Sequence, residues 1–177
     1  ACSRTNTGFY KIKSYTFIRF RKLLLVSGCA FLCWLPQLQA SPLVLGTQTQ
    51  QRDPISGLTV FADPSNKLTF ETIQTLPAGA FTAPSTESGS ALNFGFSNET
   101  YWLRLELQRA PGVSKEWIIE IPYQGLDEID FFAPGKPPVI TGAARKLESR
   151  ALFHRYFVFP VEVETEPQTF YFRIRSA

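Results

Sequence analysis

Apolar and polar residues alternate with a period of two along much of the second half of the chain. Between Tyr101 and Leu107 every second residue is apolar or aromatic, and Trp102, Arg104 and Glu106 occupy the opposite face. Successive side chains of a β-strand point to opposite faces of its sheet. The pattern therefore predicts a strand with one face toward a hydrophobic core.

Five other segments predict strands, either by the same alternation or as short apolar runs bounded by turn residues. They are 58–63, 117–121, 128–132, 156–163 and 170–175. The apolar run 117–121 is expected to be more fully buried, and Pro160 favours an edge or bulge position for 156–163.

Helix is expected at one place only, Leu68–Ile73, where Thr69 is a candidate N-terminal cap. Segment 77–93 reads as a long loop, too polar to pack as a core element, and 41–57 as a flexible N-terminal arm. At least six strands with hardly any helix predict an all-β fold, an antiparallel β-sandwich. A chain of 177 residues has room for one such domain, which we place at 58–177.

The first 40 residues differ from the rest in composition. A basic stretch is followed by 13 apolar residues, Leu23–Leu35, and then by Pro36. This order is typical of a secretory signal peptide, an apolar leader helix cleaved here after Ala40. Two alternatives stay open: lipidation of Cys29, which follows the lipobox-like Val26-Ser27-Gly28, and retention of the leader as an anchor.

The leader also accounts for the cysteines and for the positive charge. Cys2, Cys29 and Cys33 all lie in it, so an exported body would have no disulfide, and such a body suits an oxidising bacterial periplasm. The whole chain has a net charge of +3, but residues 41–177 carry 12 basic and 15 acidic side chains. A net charge of −3 argues against a nucleic-acid partner.

Little in the sequence indicates catalysis or a cofactor. His154 is the single histidine, and without cysteine partners it does not make a typical zinc site. Asp127, Glu128 and Asp130 cluster at a strand start, and paired carboxylates hydrolyse glycosidic bonds when they face one cleft. The chain has no Gly-rich phosphate loop. We therefore expect no metal and no cofactor.

Binding is the better supported chemistry. Trp102 and Arg104 share one strand face, and Tyr171, Arg173 and Arg175 share another. Aromatic rings stack on apolar faces of sugars, and guanidinium groups bind hydroxyls or carboxylates. The alternative is that Trp102 is a core residue and that the arginines pair with nearby carboxylates, namely Asp127, Asp130 or Glu120.

Six segments, in their order along the chain, resemble one bacterial receptor module over roughly residues 58–177. They are Asn93–Ser97 with Tyr101–Leu105, Glu116–Tyr123, Leu126–Phe132, Gly142 with Arg150, His154–Pro160 and Phe170–Ser176. The module is the type 2 extracellular domain of seven-transmembrane receptors with diverse intracellular signalling modules.

The resemblance implies a jelly-roll-like β-sandwich, similar to carbohydrate-binding modules, at the periplasmic face of the bacterial inner membrane. It implies downstream membrane helices and an output domain such as a diguanylate cyclase or a histidine kinase, but no catalytic residue in this domain. The expected partner is a small molecule, a carbohydrate or a carboxylate. The candidate ligand-binding or framework residues are Trp102, Arg104, Asp127, Arg150, Arg155 and Arg173.

Three hypotheses follow. The first is the periplasmic ligand-sensing domain of a membrane signalling receptor. The second is a free exported or lipid-anchored carbohydrate-binding module, and the third an exported glycoside hydrolase that uses Asp127 or Asp130. We expect the chain to be a fragment, since it contains no Met and its last predicted strand has no closing turn.

Overall fold

The computed structural model describes residues 41–47, 54–84 and 97–176. In these residues the chain forms eight strands and one α-helix. They are β1 Leu43–Leu45, β2 Leu58–Asp63, α1 Phe70–Thr75, β3 Thr100–Arg109, β4 Glu116–Ile121, β5 Glu128–Phe132, β6 Val139–Thr141, β7 Phe157–Glu162 and β8 Gln168–Arg175. The predicted leader, its cleavage after Ala40 and the alternative lipidation of Cys29 lie outside the described residues.

Six of the strands form one sheet around β3 and β8. The order is β3–β8–β5–β6, and β1 and β2 share the free edge of β3. β2 runs antiparallel to Thr100–Leu105, and β1 runs parallel to Leu107–Arg109. All the other described strand pairs are antiparallel.

The remaining strands, β4 and β7, form a second sheet that packs on the first. Aromatic rings join the two layers: Phe159 of β7 lies 4.8 Å from Phe131 of β5 and 5.4 Å from Phe172 of β8, measured between ring centroids. Alternate residues of β3 and β8 fill the same core, as their period of two predicts. The fold is an all-β sandwich.

The opposite face of the large sheet, which we call the outer face, carries a second, smaller core. Helix α1 and the segment after it cover part of this face, and Ile73 and Phe81 pack there against Trp102 and Tyr171. The Thr69 hydroxyl accepts a hydrogen bond from the Thr72 N–H and so caps α1, as expected from the sequence. In the described part of the chain, no helix is long and apolar enough to cross a membrane.

Three sequence-based expectations are wrong. The arm at 41–57 is ordered at β1, since Leu43 and Leu45 are buried against β3, a contact too distant along the chain for local pattern to reveal. The run 117–121 was expected to be more fully buried, but it lies in β4 of the two-stranded sheet, which we call the thin sheet. In β4 only Ile119 is buried, and Ile118 is 61% exposed. Segment 77–93 does contribute a core residue, Phe81.

The turn after β2 is held by one buried carboxylate. Asp63 is almost fully buried and accepts hydrogen bonds from the N–H and hydroxyl of Ser65 and from the N–H of Leu68. Burial would raise the pKa of Asp63, but these hydrogen bonds together lower it below its ordinary value. The same turn carries Asn66, whose amide oxygen accepts a 2.7 Å hydrogen bond from the Thr100 hydroxyl at the start of β3.

Asp63→Asn is expected to lower the free energy of unfolding by about 1–3 kcal/mol at neutral pH, because an amide cannot accept all of these hydrogen bonds. A lowered pKa means that the carboxylate contributes its stability above about pH 4 and loses it as the pH falls through the pKa of the folded state. Urea denaturation at about pH 7 and about pH 3 should therefore show a smaller difference between the two proteins in acid. An equal difference at both pH values would contradict this role.

Candidate functional site

The outer face of the large sheet brings three of the sequence-predicted residues together. The pairing of β3, β8 and β5 places Trp102, Arg173 and Asp130 in one row across the strands, and Arg104 in the neighbouring row. Charged side chains of this face form ion pairs. We call this group the outer charged surface, and it consists of Arg104, Glu106, Glu128, Asp130 and Arg173.

Arg173 is the centre of the outer charged surface. Its Nη1 lies 3.1 Å from Asp130 Oδ2, and its Nη2 lies 3.9 Å from Glu128 Oε2. Burial raises the pKa of Asp130, and the charges of Arg173 and Arg145 offset this effect only in part. Burial thus disfavours the ionised form of Asp130 more than the positive charges favour it. A ligand that binds Arg173 would have to compete with this ion pair.

Trp102 lies beneath this surface and is completely buried. Its ring stacks on Phe132 at 5.9 Å, and its Nε1 has no hydrogen-bond partner among the described residues. A ring with no exposed face cannot stack on a sugar, so in this structure Trp102 occupies the core position that the sequence left open as an alternative.

Arg104 is ion-paired within its own strand. Its guanidinium donates to the carboxylate of Glu106 and lies 5.8 Å from the ring centre of Phe81. The sequence anticipated arginine–carboxylate pairs, and Arg173 with Asp130 is one of them. The partner of Arg104, however, is Glu106, two residues along the same face.

The other three candidates lie away from the outer charged surface. Asp127 precedes β5, and its Oδ2 accepts a 3.1 Å hydrogen bond from the hydroxyl of Ser176. Arg150 and Arg155 belong to the loop between β6 and β7. The structure therefore distributes the six candidates over three regions.

A groove that the sequence did not indicate opens between the thin sheet and the large sheet, with a volume of about 660 Å³. Its apolar wall includes Trp117 of β4, Phe131 of β5 and Phe170 of β8, while Lys136 and Glu162 lie at its polar side. We call it the Trp117 groove. Its residues come from strands far apart in the sequence, so no local motif could have revealed it.

Polar contacts orient the indole ring of Trp117 and the charged side chains of the Trp117 groove. The indole Nε1 of Trp117 donates a 2.8 Å hydrogen bond to the carbonyl of Ser114. Glu162 accepts a hydrogen bond from Lys115 at 2.9 Å and lies 3.8 Å from Lys136 Nζ. The hydrogen bond from Lys115 and the two positive charges lower the pKa of Glu162, which keeps this carboxylate ionised at neutral pH.

These features suit binding more than catalysis. An aromatic ring beside ionised and amide groups can hold a polar ligand with an apolar face. Among the described residues, no three His, Cys, Asp or Glu side chains converge in a way that could hold a metal ion. The arrangement offers recognition groups without a paired nucleophile and base.

The chain matches the model of a known protein family. A family described as 7TMR-DISM extracellular 2 matches residues 56–177, which include β2 to β8 and α1. A search of curated proteins found no match.

The matched range covers more than half of the chain, and the all-β sandwich agrees with the fold that the resemblance implied. An extracellular domain is exported or periplasmic, and a sensor module of this kind is not expected to be an enzyme. The chain therefore belongs to the 7TMR-DISM extracellular 2 family, the type 2 extracellular sensor domains of these receptors.

Proposed function

We propose that this domain senses a small ligand, a carbohydrate or a carboxylate, for a membrane signalling receptor at the periplasmic face of the bacterial inner membrane. The observation that carries the proposal is the Trp117 groove in a domain of an extracellular sensor family. Ligand sites of small molecules commonly have volumes of about 300–1,000 Å³ and a mostly apolar wall with a few polar groups. The groove fits this description.

The chemistry of the groove supports the ligand class. The half-buried ring of Trp117 offers an apolar surface to a sugar ring, and Gln168 and Glu162 offer partners for hydroxyl groups. Lys136 is largely exposed and lies 3.8 Å from Glu162. Because an ion pair this exposed is weak, a ligand carboxylate can replace Glu162 as the partner of Lys136. A ligand that needs both kinds of contact would fill the groove better than an apolar one.

Strand β8 supplies a route for the signal. Its Phe170 lines the groove, and the strand then runs between β3 and β5 through the centre of the large sheet to Arg175. A ligand shifts a conformational equilibrium only by its difference in affinity for the two states. We propose that the two states differ in the position of β8 and that this strand transmits the change toward the membrane helices of the receptor.

Trp117→Ala is expected to weaken ligand binding by roughly tenfold or more, because the stacking surface is lost. Saturation-transfer NMR with a panel of simple sugars and carboxylic acids identifies the ligand, and titration measures its affinity. Tyr123→Ala is the matched control, since Tyr123 is an exposed aromatic residue outside the groove. If Arg104→Ala weakens binding and Trp117→Ala does not, the ligand binds at the outer charged surface instead.

The receptor context has a separate test. Sequencing the source DNA beyond codon 177 is expected to reveal about seven apolar segments of about 20 residues each, followed by a signalling domain. A stop codon directly after codon 177 would contradict the receptor proposal. It would favour the free carbohydrate-binding module.

A further inference from the structure

The loop between β6 and β7 exposes apolar side chains to solvent. We call residues 143–156 the basic loop. Phe153 is 88% exposed, and Leu147 and Leu152 are each 42% exposed. Single exposed apolar residues are common on protein surfaces, but here Leu152 adjoins Phe153 in sequence and Leu147 lies in the same loop. We call these three residues the apolar tip.

The loop that carries the apolar tip is rich in positive charge. The basic loop contains Arg145, Lys146, Arg150 and Arg155 with one acidic residue, Glu148. It thus holds four of the 12 basic side chains of residues 41–177 and one of the 15 acidic ones. The loop is net +3, while the other residues of 41–177, with eight basic and 14 acidic side chains, are net −6. The positive charge is therefore local and is not a property of the whole surface.

Defined contacts hold both ends of the basic loop. At its start, the N–H groups of Ala143 and Ala144 donate to the carbonyls of Leu126 and Asp127. Near its end, Nη1 of Arg150 donates to the carbonyls of His154 and Arg155, at 2.6 and 3.1 Å. The guanidinium of Arg150 also lies 4.6 Å from the ring centre of Phe157. Arg150 is thus a positioning residue, and the exposed cations are Arg145, Lys146 and Arg155.

We propose that the basic loop is a membrane-contact site, in which Phe153 and Leu152 enter the interfacial region of an anionic bilayer and the exposed cations contact lipid phosphates. Apolar side chains with flanking Lys and Arg are the chemistry of interfacial membrane binding. A stable protein interface buries about 800 Å² on each partner, more than this small tip supplies. A bilayer needs only a few inserted side chains together with the electrostatic attraction.

The test measures bilayer insertion at the loop itself, in the full chain. Tryptophan replaces Phe153, and its fluorescence is followed with vesicles of phosphatidylglycerol and brominated phosphatidylcholine, which quench tryptophans that reach the acyl chains. Ile118→Trp is the matched control, because Ile118 is 61% exposed on β4, outside the basic loop. The parent chain, measured in the same way, gives the quenching of its own three tryptophans, including any caused by binding through the apolar leader. Subtracting this baseline leaves the quenching at position 153.

With the anionic vesicles, Phe153→Trp is expected to show more quenching of tryptophan fluorescence than the parent chain. With vesicles of brominated phosphatidylcholine alone, the increase should be small. Ile118→Trp is expected to show no increase with either kind of vesicle. On the Phe153→Trp background, Lys146→Glu and Arg155→Glu should each weaken the insertion at least about fivefold, since one basic residue near an anionic surface contributes about that factor. Lys67→Glu, at an exposed lysine outside the loop, should have no such effect.

Four results of the vesicle experiment would overturn the proposal. They are an absence of added quenching at position 153, equal quenching at positions 118 and 153, equal insertion into neutral vesicles, and equal effects of Lys146→Glu and Lys67→Glu. Lipid-independent self-association that Phe153→Ser abolishes would also overturn it. In that case the apolar tip is an interface between copies of the chain.

Discussion

Trp102→Ala is expected to lower the free energy of unfolding by about 3–5 kcal/mol, the range for truncation of a large aromatic residue in a core. Trp102 is completely buried, and its ring packs between Phe132 and the residues that cover the outer face. Alanine would leave a cavity bounded by α1 on one side and by β3 and β8 on the other, and neither layer can move closer without disturbing the sheet. Urea denaturation followed by circular dichroism measures the loss.

Two variants sharpen this prediction. Trp102→Phe should cost less than Trp102→Ala, because phenylalanine fills most of the space and removes an indole N–H that has no partner in the described residues. Trp117→Ala should cost less than Trp102→Ala, since the Trp117 ring is only partly buried. A loss below about 1 kcal/mol for Trp102→Ala would mean that the ring is accessible, and Trp102 would return as a candidate ligand contact.

Gly142→Ala is expected to destabilise the domain by about 3 kcal/mol or more. Gly142 has a φ of +145°, a region that is essentially restricted to glycine. A Cβ at this position would lie 2.0 Å from the carbonyl oxygen of Asp127, which is a backbone atom and cannot rotate away. The strain and the clash add, and each is of the order of 1–3 kcal/mol. Thermal and urea denaturation measure the combined effect.

Gly135→Ala is the matched control for this substitution. Gly135 also has a positive φ, +66°, but a Cβ there would meet no atom within 4 Å. Only the backbone preference would be lost, at about 1–2 kcal/mol. Equal losses at the two glycines would show that the approach of Gly142 to Asp127 has no energetic consequence. Because Gly142 begins the turn into the basic loop, its replacement should also disturb the Ala143 and Ala144 hydrogen bonds.

The candidate site was predictable only in part. The alternation in β3 correctly separated Leu103 and Leu105 from Trp102 and Arg104. It could not show that the second face is covered as well, because the cover comes from α1 and Phe81, which belong to another part of the chain. The sequence identified the arginines as candidates but left their partners open. The strand register decided the pairing of Arg173 with Asp130, and the spacing along β3 decided that of Arg104 with Glu106.

The basic loop illustrates the same limit. Its charges can be counted in the sequence, and Arg150 and Arg155 were candidates from the resemblance. The structure gives them different roles, since Arg150 braces the backbone and Arg155 lies exposed beside Tyr156. The sequence could not predict the 88% exposure of Phe153, because other aromatic residues lie close to it along the chain and some of them are buried.

The sequence by itself determined the strand segments and the family. Each long strand has one face in the main core, so an alternation with a period of two identifies it from local sequence. The order of six segments along the chain was enough for the resemblance, which the match to residues 56–177 confirms. Only the tertiary structure decided the short strands β1 and β6, the central position of β8 and the Trp117 groove. These features depend on pairing between residues distant in sequence, and a local pattern carries no information about which strands become neighbours.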